Sequence, residues 1–423
     1  MVLVEAQTVF AAASYATDTR LLAELRATWP PASGPDDDRD DDRDGYRPTD
    51  LASLEVVGAV RLTDRFAVAL ATDTGDGDGA FLVTPLARDD AGARLRLAVA
   101  GDGLSAFVAG VPMASERSIA VDQTNASVVV GERAIVKWFR RVGPGPSRAA
   151  TLLAHLGAVR FAGIPAPLGS LTWVSPDGVD LTLAQGDAFL PGARDGWEWC
   201  VERAAAGDAS VGGELGRLVA GLHLALATSS TVIDIPLGIA AAGQADSWRR
   251  TARETLADAQ RLSDGEDAVE LATWLPVMLD ALDGIDTGDG IAIQPIHGDL
   301  HVGQVLEWSG GLAVIDFDGN PTLGAEANAV RQPVERDIAQ MHASLDLVGR
   351  VAQKSADADR AAVIDSWIEE ARRGFLKAVG PFDERLMAAF EVEQLSRELV
   401  YAARFLPRWR YAPMAALRAR YGR

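Results

Sequence analysis

The feature that most constrains this chain is a loop that runs into a short hairpin near residue 300. HGDLHVGQ at 297–304 leads into the apolar run QVLEW, and LAVID leads into DFDG at 316–319. The two runs are strand-like and are separated by Ser-Gly-Gly, which predicts an antiparallel hairpin. Such a hairpin brings Gln304 at its entrance close to Asp316 at its exit, with Asp299 on the loop before them.

This spacing matches the requirements of phosphoryl transfer. In kinases, a loop aspartate accepts the proton of the attacking hydroxyl, an amide side chain five residues later binds magnesium, and the aspartate of a D-F-G element binds magnesium too. Asp299 stands five residues before Gln304, and Asp316 begins Asp-Phe-Asp-Gly. Oxygen ligands suit magnesium. We therefore expect Asp299 to be the general base, and Gln304 and Asp316 to be magnesium ligands.

Two histidines flank the candidate base. We expect His297 to brace the loop through backbone hydrogen bonds. His301 is expected to meet the acceptor substrate, with a structural role as the alternative. A hydrolase whose His297, His301 and aspartates hold a transition metal is an alternative from another class. Gln304 and the missing glutamate of an H-E-x-x-H site weigh against it.

Composition limits the partners and the compartment. The formal net charge of -20 over 423 residues argues against nucleic acid, because a phosphate backbone is bound by clustered Lys and Arg. Cys200 is the only cysteine, which excludes an intrachain disulfide and a cysteine metal cage. No run approaches the roughly 18 apolar residues of a membrane span, and the first residues lack the basic segment of a signal peptide. We expect a cytoplasmic protein without a membrane, nucleic-acid or evident protein partner.

The chain is organised in three blocks, 1–112, 113–200 and 201–423. In the first block, alternating runs such as LEVVGAVRL and RFAVALAT predict antiparallel strands. The acidic stretch at 34–50 and DTGDGDG at 73–79 are interpreted as loops rather than cation sites. Beyond residue 200, four amphipathic stretches predict helices: GGELGRLVAGLHLALA, DAVELATWLPVMLDAL, RAAVIDSWIEEARRGFLKAV and FEVEQLSRELVYAARFL. A β-rich front and a helical back predict a bilobal α+β protein.

A second hairpin is predicted in the middle block. SVVV and AIVKWF are joined by Gly-Glu-Arg, and the second strand carries Lys137. Kinases usually pair this strand lysine with a glutamate on the following helix, yet no Asp or Glu occurs between Glu132 and Asp177. A solvent-facing strand lysine is the alternative. Residues 184–187 follow an apolar strand and are interpreted as a hinge against adenine or as a plain turn.

These motifs carry a resemblance to a known family. IHGDLHVGQVLEWSGGLAVIDFDGNP resembles the phosphotransferase loop of the aminoglycoside phosphotransferase and choline kinase superfamily. Within that superfamily the loop has Gln in place of the usual Asn, and in this it is similar to the loops of the actinobacterial maltokinases and the related glucosamine kinases. DQTNASVVVGERAIVKWFRR, DGWEW, LGRLVAGLHLALA and ELVYAARFLPRW also resemble stretches of that group, so the likeness extends over nearly the whole chain.

The resemblance implies a fold and a set of cofactors. It implies a protein-kinase-like (aminoglycoside phosphotransferase-like) fold. An N-terminal cap subdomain covers 1–112, a nucleotide-binding N-lobe subdomain covers 113–200, and a helical C-lobe with the catalytic loop and acceptor site covers 201–423. ATP and Mg²⁺ are the expected cofactors. The nucleotide-binding residues that it implies are Lys137 at the phosphates together with Ser127, Gln185 and Asp187.

The acceptor is expected to be an amino sugar. PRWRYAPMAAL departs at Arg408 and at 410–412 from the P-D-W-x-P-I-P pattern of maltokinases, so the resemblance favours glucosamine, phosphorylated to glucosamine 6-phosphate, over maltose or an aminoglycoside. A protonated amine needs an acid beside it. We expect Glu398 to contact the amine and Trp409 to stack on the ring. An ion pair of Glu398 with Arg404 is the alternative.

Other polar and aromatic residues have structural interpretations. Trp197 and Trp199 either line a sugar cleft or pack between the lobes. His223 is expected to be a satisfied core histidine. Two ion pairs are also expected: Glu393 with Arg397 four residues on, and Arg336 with Asp337 at a helix start, without a catalytic role.

Overall fold

The structure is a computed structural model that describes residues 13–30, 53–72, 80–88, 94–111, 113–119, 125–143, 147–285, 290–320, 331–354 and 356–422. The chain divides into two compact units, a first of Met1–Gly157 and Pro165–Pro191 and a second of Ala158–Ile164 and Gly192–Arg423. The division into three blocks at residues 112 and 200 stays a prediction. The acidic stretch at 34–50 and DTGDGDG at 73–79 lie outside the described residues.

Two sheets build the described part of the first unit. One has its strands in the order β2 (Glu55–Arg61), β3 (Phe66–Thr72), β4 (Phe81–Arg88) and β5 (Leu95–Leu97), with β9 (Arg141–Val142) also paired to β4. The other has the order β1 (Ala13–Tyr15), β10 (Pro167–Val174), β11 (Asp180–Ala188), β8 (Ala134–Trp138), β7 (Ala126–Val130) and β6 (Glu116–Ile119). Neighbours run antiparallel except β1 and β10, which are parallel. The strands expected in the first block and the hairpin that carries Lys137 are confirmed.

The helices described in the first unit are α1 (Thr19–Thr28), α2 (Leu104–Val108) and α3 (Arg148–Ala158). Asp18 caps α1 by accepting a hydrogen bond from the backbone N–H of Leu21 at 2.9 Å. Leu21 and Leu25, four residues apart on one helix face, are buried against small residues of β2 and β3. Alanines at those sheet positions leave room for the leucines.

The second unit is mostly helical. Its helices are α4 (Gly196–Ala206), α5 (Ser210–Leu226), α6 (Ala242–Arg261), α7 (Gly265–Leu282), α8 (Glu335–Gln353), α9 (Ala358–Val379), α10 (Glu384–Arg404) and α11 (Tyr411–Tyr421). Among its described residues, short strand pairs are embedded between the helices: β12 (Gly238–Ile239) with β13 (Ala292–Ile293), and β14 (Val305–Trp308) with β15 (Gly311–Val314). The four helices expected beyond residue 200 are confirmed as α5, α7, α9 and α10. The expected α+β class is confirmed as well.

Helix α8 is the centre of the second unit. Nearly every residue from Glu335 to Gly349 is buried, and the helix packs against α4, α9, α10 and α11. A helix buried on all sides normally carries apolar residues all round, yet α8 includes several charged and amide side chains. Each of these must find a hydrogen-bond partner inside the protein.

In the described part of the chain, no helix is both long enough and apolar enough to cross a membrane.

Candidate active site

The hairpin of β14 and β15 brings Gln304 and Asp316 together, as the sequence predicted. Gln304 ends a 3₁₀ turn, Val302–Gln304, and its carbonyl accepts the backbone N–H of Ile315 at 2.9 Å. Its side-chain Nε2 lies 3.4 Å from Oδ2 of Asp316. Asp316 has a φ of 65°, the left-handed region that a non-glycine residue rarely adopts. Strain of this kind is often found at functional sites.

The donor atoms of these two residues fit a magnesium ion. A carboxylate and a side-chain amide both offer hard oxygen ligands, and magnesium needs only one or two protein ligands besides phosphates and water. Gln304 and Asp316 are therefore the residues that could hold the ion.

The catalytic loop is held by one face of α8. Residues 337, 340 and 344 are spaced at i, i+3 and i+7, so their side chains point the same way. Each accepts hydrogen bonds from buried backbone N–H groups of the loop. The bonds are His297 N and Gly298 N to the Asp337 carboxylate at 2.8 Å each, Leu300 N to Gln340 Oε1 at 3.1 Å, and Val302 N to Ser344 Oγ at 2.9 Å.

Asp337 is fully buried and also contacts His223, whose Nε2 lies 3.2 Å from Oδ2 of the carboxylate. Burial alone raises the pKa of Asp337, but the contact with His223 and the other nearby donors bring that pKa below its usual value. His223 is thus the satisfied core histidine that was expected. The expected ion pair between Arg336 and Asp337 is wrong, because Arg336 Nη1 instead donates to Glu393 Oε2 at 2.9 Å.

His297 braces the loop. Its ring Nε2 lies 2.9 Å from the carbonyl oxygen of Ile315, and Nδ1 accepts the backbone N–H of Asp299 at 3.3 Å. The side chain is fully buried. Both ring nitrogens are therefore engaged by the backbone and neither can ligate a metal. Among the described residues, no group of three or more His, Cys, Asp or Glu is arranged to hold a metal ion, and the transition-metal site that the hydrolase alternative places at His297 is not formed.

Asp299 and His301 face one another across the loop. His301 Nδ1 accepts the backbone N–H of Gly303 at 3.1 Å, so in the neutral ring the proton is on Nε2. That nitrogen lies 4.0 Å from Oδ2 of Asp299. Burial raises the pKa of Asp299, while His301 and His297 oppose the shift. The net effect brings the pKa of the Asp299 carboxyl group closer to the range in which a general base works.

Glu398 and Trp409 are in direct contact. The indole Nε1 of Trp409 donates to Oε2 of Glu398 at 2.8 Å. Burial raises the pKa of Glu398, with the Trp409 hydrogen bond opposing the shift and the nearby charge of Asp299 adding to it. The alternative, a pair of Glu398 with Arg404, is wrong, because Arg404 pairs with Asp258 at 3.2 Å.

The two tryptophans of DGWEW have different surroundings. Trp197 lies edge-on to Trp409 with ring centroids 5.6 Å apart, and its centroid is 6.4 Å from that of His301. Trp199 is buried, and its indole N–H donates to the carbonyl of Val305 at 3.1 Å, so it packs beneath the hairpin. His301, Glu398, Trp409 and Trp197 therefore lie in one corner of the second unit, which we call the acceptor corner.

Sequence reasoning missed two residues of this region, Gln340 and Gln394. Gln340 Nε2 lies 3.4 Å from both Asp299 Oδ1 and Gln394 Oε1, and Gln394 Nε2 donates to Glu398 Oε1 at 3.0 Å. The sequence offered one signal for them, since each is an amide residue within a stretch that is helical. The ion pair of Glu393 with Arg397 is confirmed, at 2.8 Å.

The nucleotide residues implied by the resemblance share one face of the six-stranded sheet in the first unit. Lys137 on β8 is directly opposite Ser127 on β7 and Gln185 on β11, and directly opposed residues project to the same side. Gln185 Nε2 contacts Asp187 Oδ1, two residues on, at 3.3 Å. Residues 184–187 lie within β11 and pair with strands on both sides, so the interpretation as a plain turn is wrong.

Known proteins resemble this chain over most of its length. No protein-family model matches it. A glucosamine kinase from Streptacidiphilus jiangxiensis is 38% identical over an alignment of 406 positions, and the match covers 87% of this chain and 89% of that protein. A glucosamine kinase from Mycolicibacterium smegmatis is 38% identical over an alignment of 330 positions, and the match covers 72% of this chain and 79% of that protein. A solved structure described as glucosamine kinase in complex with glucosamine, ADP and inorganic phosphate is 32% identical, covers 99% of both chains and has a TM-score of 0.74.

The anchor of the loop can be tested by replacing Asp337. Asp337→Asn keeps the size of the side chain but loses one acceptor oxygen, and we expect a loss of about 2–4 kcal/mol in the free energy of unfolding, the cost of a buried charged network left incomplete. His223→Asn removes one contact and leaves both backbone bonds, so its loss should be smaller. Denaturant unfolding of the two variants measures this order, and equal losses, or none, contradict the anchoring role.

Proposed function

This chain belongs to the glucosamine kinase family, and we propose that it transfers the γ-phosphate of ATP to a hydroxyl of glucosamine, giving glucosamine 6-phosphate. The observation that carries the proposal is the pair of carboxylates, Asp299 and Glu398, in the second unit. Burial raises the pKa of both. Perturbed carboxylates at close quarters are typical of functional sites, and here one suits a base and the other suits an amine.

Asp299 is proposed as the base that accepts the proton of the acceptor hydroxyl. Its loop is fixed by α8 through backbone hydrogen bonds, so its position does not depend on a mobile segment. His301 presents Nε2–H on the same side as the Asp299 carboxylate and is proposed to donate a hydrogen bond to the acceptor.

Glu398 is proposed to bind the protonated amine. A half-buried carboxylate whose pKa is raised by burial is stabilised by a cation, and an ammonium group supplies both the charge and the hydrogen-bond donors. Trp409 fixes one carboxylate oxygen by its indole N–H. Its ring, with Trp197 edge-on against it, is the proposed stacking surface for the sugar.

The remaining proposed roles concern ATP and its metal. Gln304 and Asp316 are proposed to hold Mg²⁺, which neutralises charge on the transferring phosphoryl group when it is bound. In the first unit, the shared sheet face is proposed to bind the nucleotide, through Lys137, Ser127, Gln185 and Asp187.

The proposed acceptor is tested by measuring ADP release with glucosamine, glucose, maltose and kanamycin. We expect the highest kcat/KM with glucosamine. Glu398→Gln should then raise the KM for glucosamine by roughly 10-fold or more, the effect of removing a charged hydrogen-bond partner. The KM for ATP should stay close to that of the wild type.

Glucose serves as the matched control, because it lacks the amine. Equal losses for glucosamine and glucose, or a loss explained by a lower melting temperature, contradict the assignment of Glu398. A wild-type protein that prefers maltose or kanamycin overturns the proposed acceptor itself.

The base is tested by Asp299→Asn. The variant preserves size but cannot accept a proton, and kcat should fall by roughly 10²–10⁴-fold, the usual contribution of a positioned general base. Binding of ATP and glucosamine should be retained. Asp264→Asn, at the start of α7, is the control for an ordinary surface aspartate. Turnover near that of the wild type in Asp299→Asn would refute the role.

The metal ligands are tested by titrating magnesium against Asp316→Ala and Gln304→Ala. Asp316→Ala should be the more severe change because it removes a negative charge from the metal site. Higher magnesium should partly restore the activity of Gln304→Ala. If neither variant alters the magnesium concentration needed for half-maximal activity, the hairpin is not the metal site.

A further inference from the structure

Two buried glutamines connect the proposed base to the proposed amine-binding carboxylate. Gln340 lies on α8 and Gln394 on α10, with 3% and 7% of their surfaces exposed. Gln340 Nε2 is 3.4 Å from Asp299 Oδ1 and 3.4 Å from Gln394 Oε1. Gln394 Nε2 is 3.0 Å from Glu398 Oε1. We call Gln340 and Gln394 the glutamine bridge.

The direction of every hydrogen bond in the bridge is fixed from the loop outwards. The backbone N–H of Leu300 points at Gln340 Oε1 at 3.1 Å, and a backbone N–H can only donate. The amide group of Gln340 must therefore turn its Nε2 towards Asp299 and Gln394. Gln394 then has to offer its oxygen to Gln340, which leaves its own Nε2 to donate to Glu398. Reversing either amide would set two donors, or two acceptors, against each other.

This direction suits a carboxylate that has to attract a cation. Glu398 receives one N–H from Gln394 and one from Trp409. Neutral donors stabilise the ionised carboxylate without cancelling its charge, whereas a guanidinium at the same place would compete with a bound amine. By contrast, Glu393 on the same helix is paired with Arg336 and Arg397.

We propose that Gln340 and Gln394 are positioning residues for the transfer reaction, which hold the Asp299 loop and the Glu398 carboxylate in register and keep Glu398 available for a protonated amine. This inference rests on the proposed function. Gln394 acts through Glu398, so its removal should affect recognition of the amine. Gln340 also contacts Asp299 and supports the loop, so its removal should reduce kcat as well.

The test replaces Gln394 by leucine, which has a similar size and no polar atoms. We expect the KM for glucosamine to rise roughly 10-fold, as when a charged group loses a buried hydrogen-bond donor, while the KM values for ATP and glucose stay near wild type. Ser396→Ala on the same helix is the matched control. Ser396 is fully buried, but its hydroxyl donates only within the helix, to Val392 at 2.8 Å, so this variant should leave the KM for glucosamine unchanged.

A double-mutant cycle separates positioning from general damage. In the Glu398→Gln background, Gln394→Leu should add little to the KM for glucosamine, because the carboxylate through which Gln394 acts on the amine has already been replaced. Additive losses in the cycle, or an increase in KM that is the same for glucose, overturn the proposal. A KM for glucosamine that stays at the wild-type value in Gln394→Leu overturns it too.

A measurement without substrate distinguishes this inference from the proposed function. The indole N–H resonance of Trp409, assigned with Trp409→Phe, should follow the ionisation of Glu398 through their hydrogen bond. The charged groups near Glu398 are His301 and Asp299 on the loop and Arg397 on its own helix, and the Glu398→Gln variant identifies which step of the titration belongs to Glu398. In Gln394→Leu the midpoint of that step should move to higher pH, because the ionised carboxylate has lost a donor.

The outcomes are separable. If the wild type does not phosphorylate glucosamine but the midpoint moves as expected, the proposed function fails and the contact of Gln394 with Glu398 stands. If the wild type phosphorylates glucosamine and the midpoint is unchanged in Gln394→Leu, the glutamine bridge fails and the proposed function stands.

Discussion

The site depends on the hydrogen bonds between one face of α8 and the backbone of residues 297–302. This loop has buried N–H groups and lacks a helix or strand of its own to satisfy them, and an unpaired buried N–H is costly. Asp337, Gln340 and Ser344 accept them in order along the helix. The loop therefore has the shape that the helix dictates, and Asp299 is held by the interior of the unit rather than by surface contacts.

The acids of α10 differ in the groups that surround their carboxylates. Glu391 contacts His342, Arg372 and Arg420, and Glu393 contacts Arg336 and Arg397. Burial alone raises the pKa of each of these two acids, but the neighbouring cations bring both below the usual value. Glu398, whose hydrogen bonds come from an amide and an indole, keeps a raised pKa. The type of donor, rather than depth alone, separates the two carboxylates whose pKa is lowered from the one whose pKa is raised.

The sequence predicted the parts of the site that depend on local spacing. The hairpin follows from two apolar runs and a glycine turn, so the approach of Gln304 to Asp316 needed no knowledge of the rest of the fold. The hydrogen bonds from the loop to Asp337 could not be predicted from sequence, because Asp337 lies 40 residues from His297 along the chain. The ion pair predicted between Arg336 and Asp337 does not form, because neighbours on a helix point about 100° apart. Only the packing of α8 at the centre of the unit decides where each one goes.

We propose that the negative charges of Asp299 and Glu398 give the acceptor corner a preference for a cationic acceptor that its shape alone does not supply. Asp299 lies close enough to Glu398 that its charge adds to the raised pKa of Glu398, since two nearby negative charges disfavour each other. We propose that an acceptor with an ammonium group relieves this repulsion and favours the ionised form of Glu398. A neutral sugar of the same size does not relieve the repulsion between the two carboxylates, because it brings no positive charge to Glu398. On this proposal, selection of an amino sugar over its hydroxyl counterpart rests on a difference in electrostatic free energy, which the neutral donors of the glutamine bridge and Trp409 preserve.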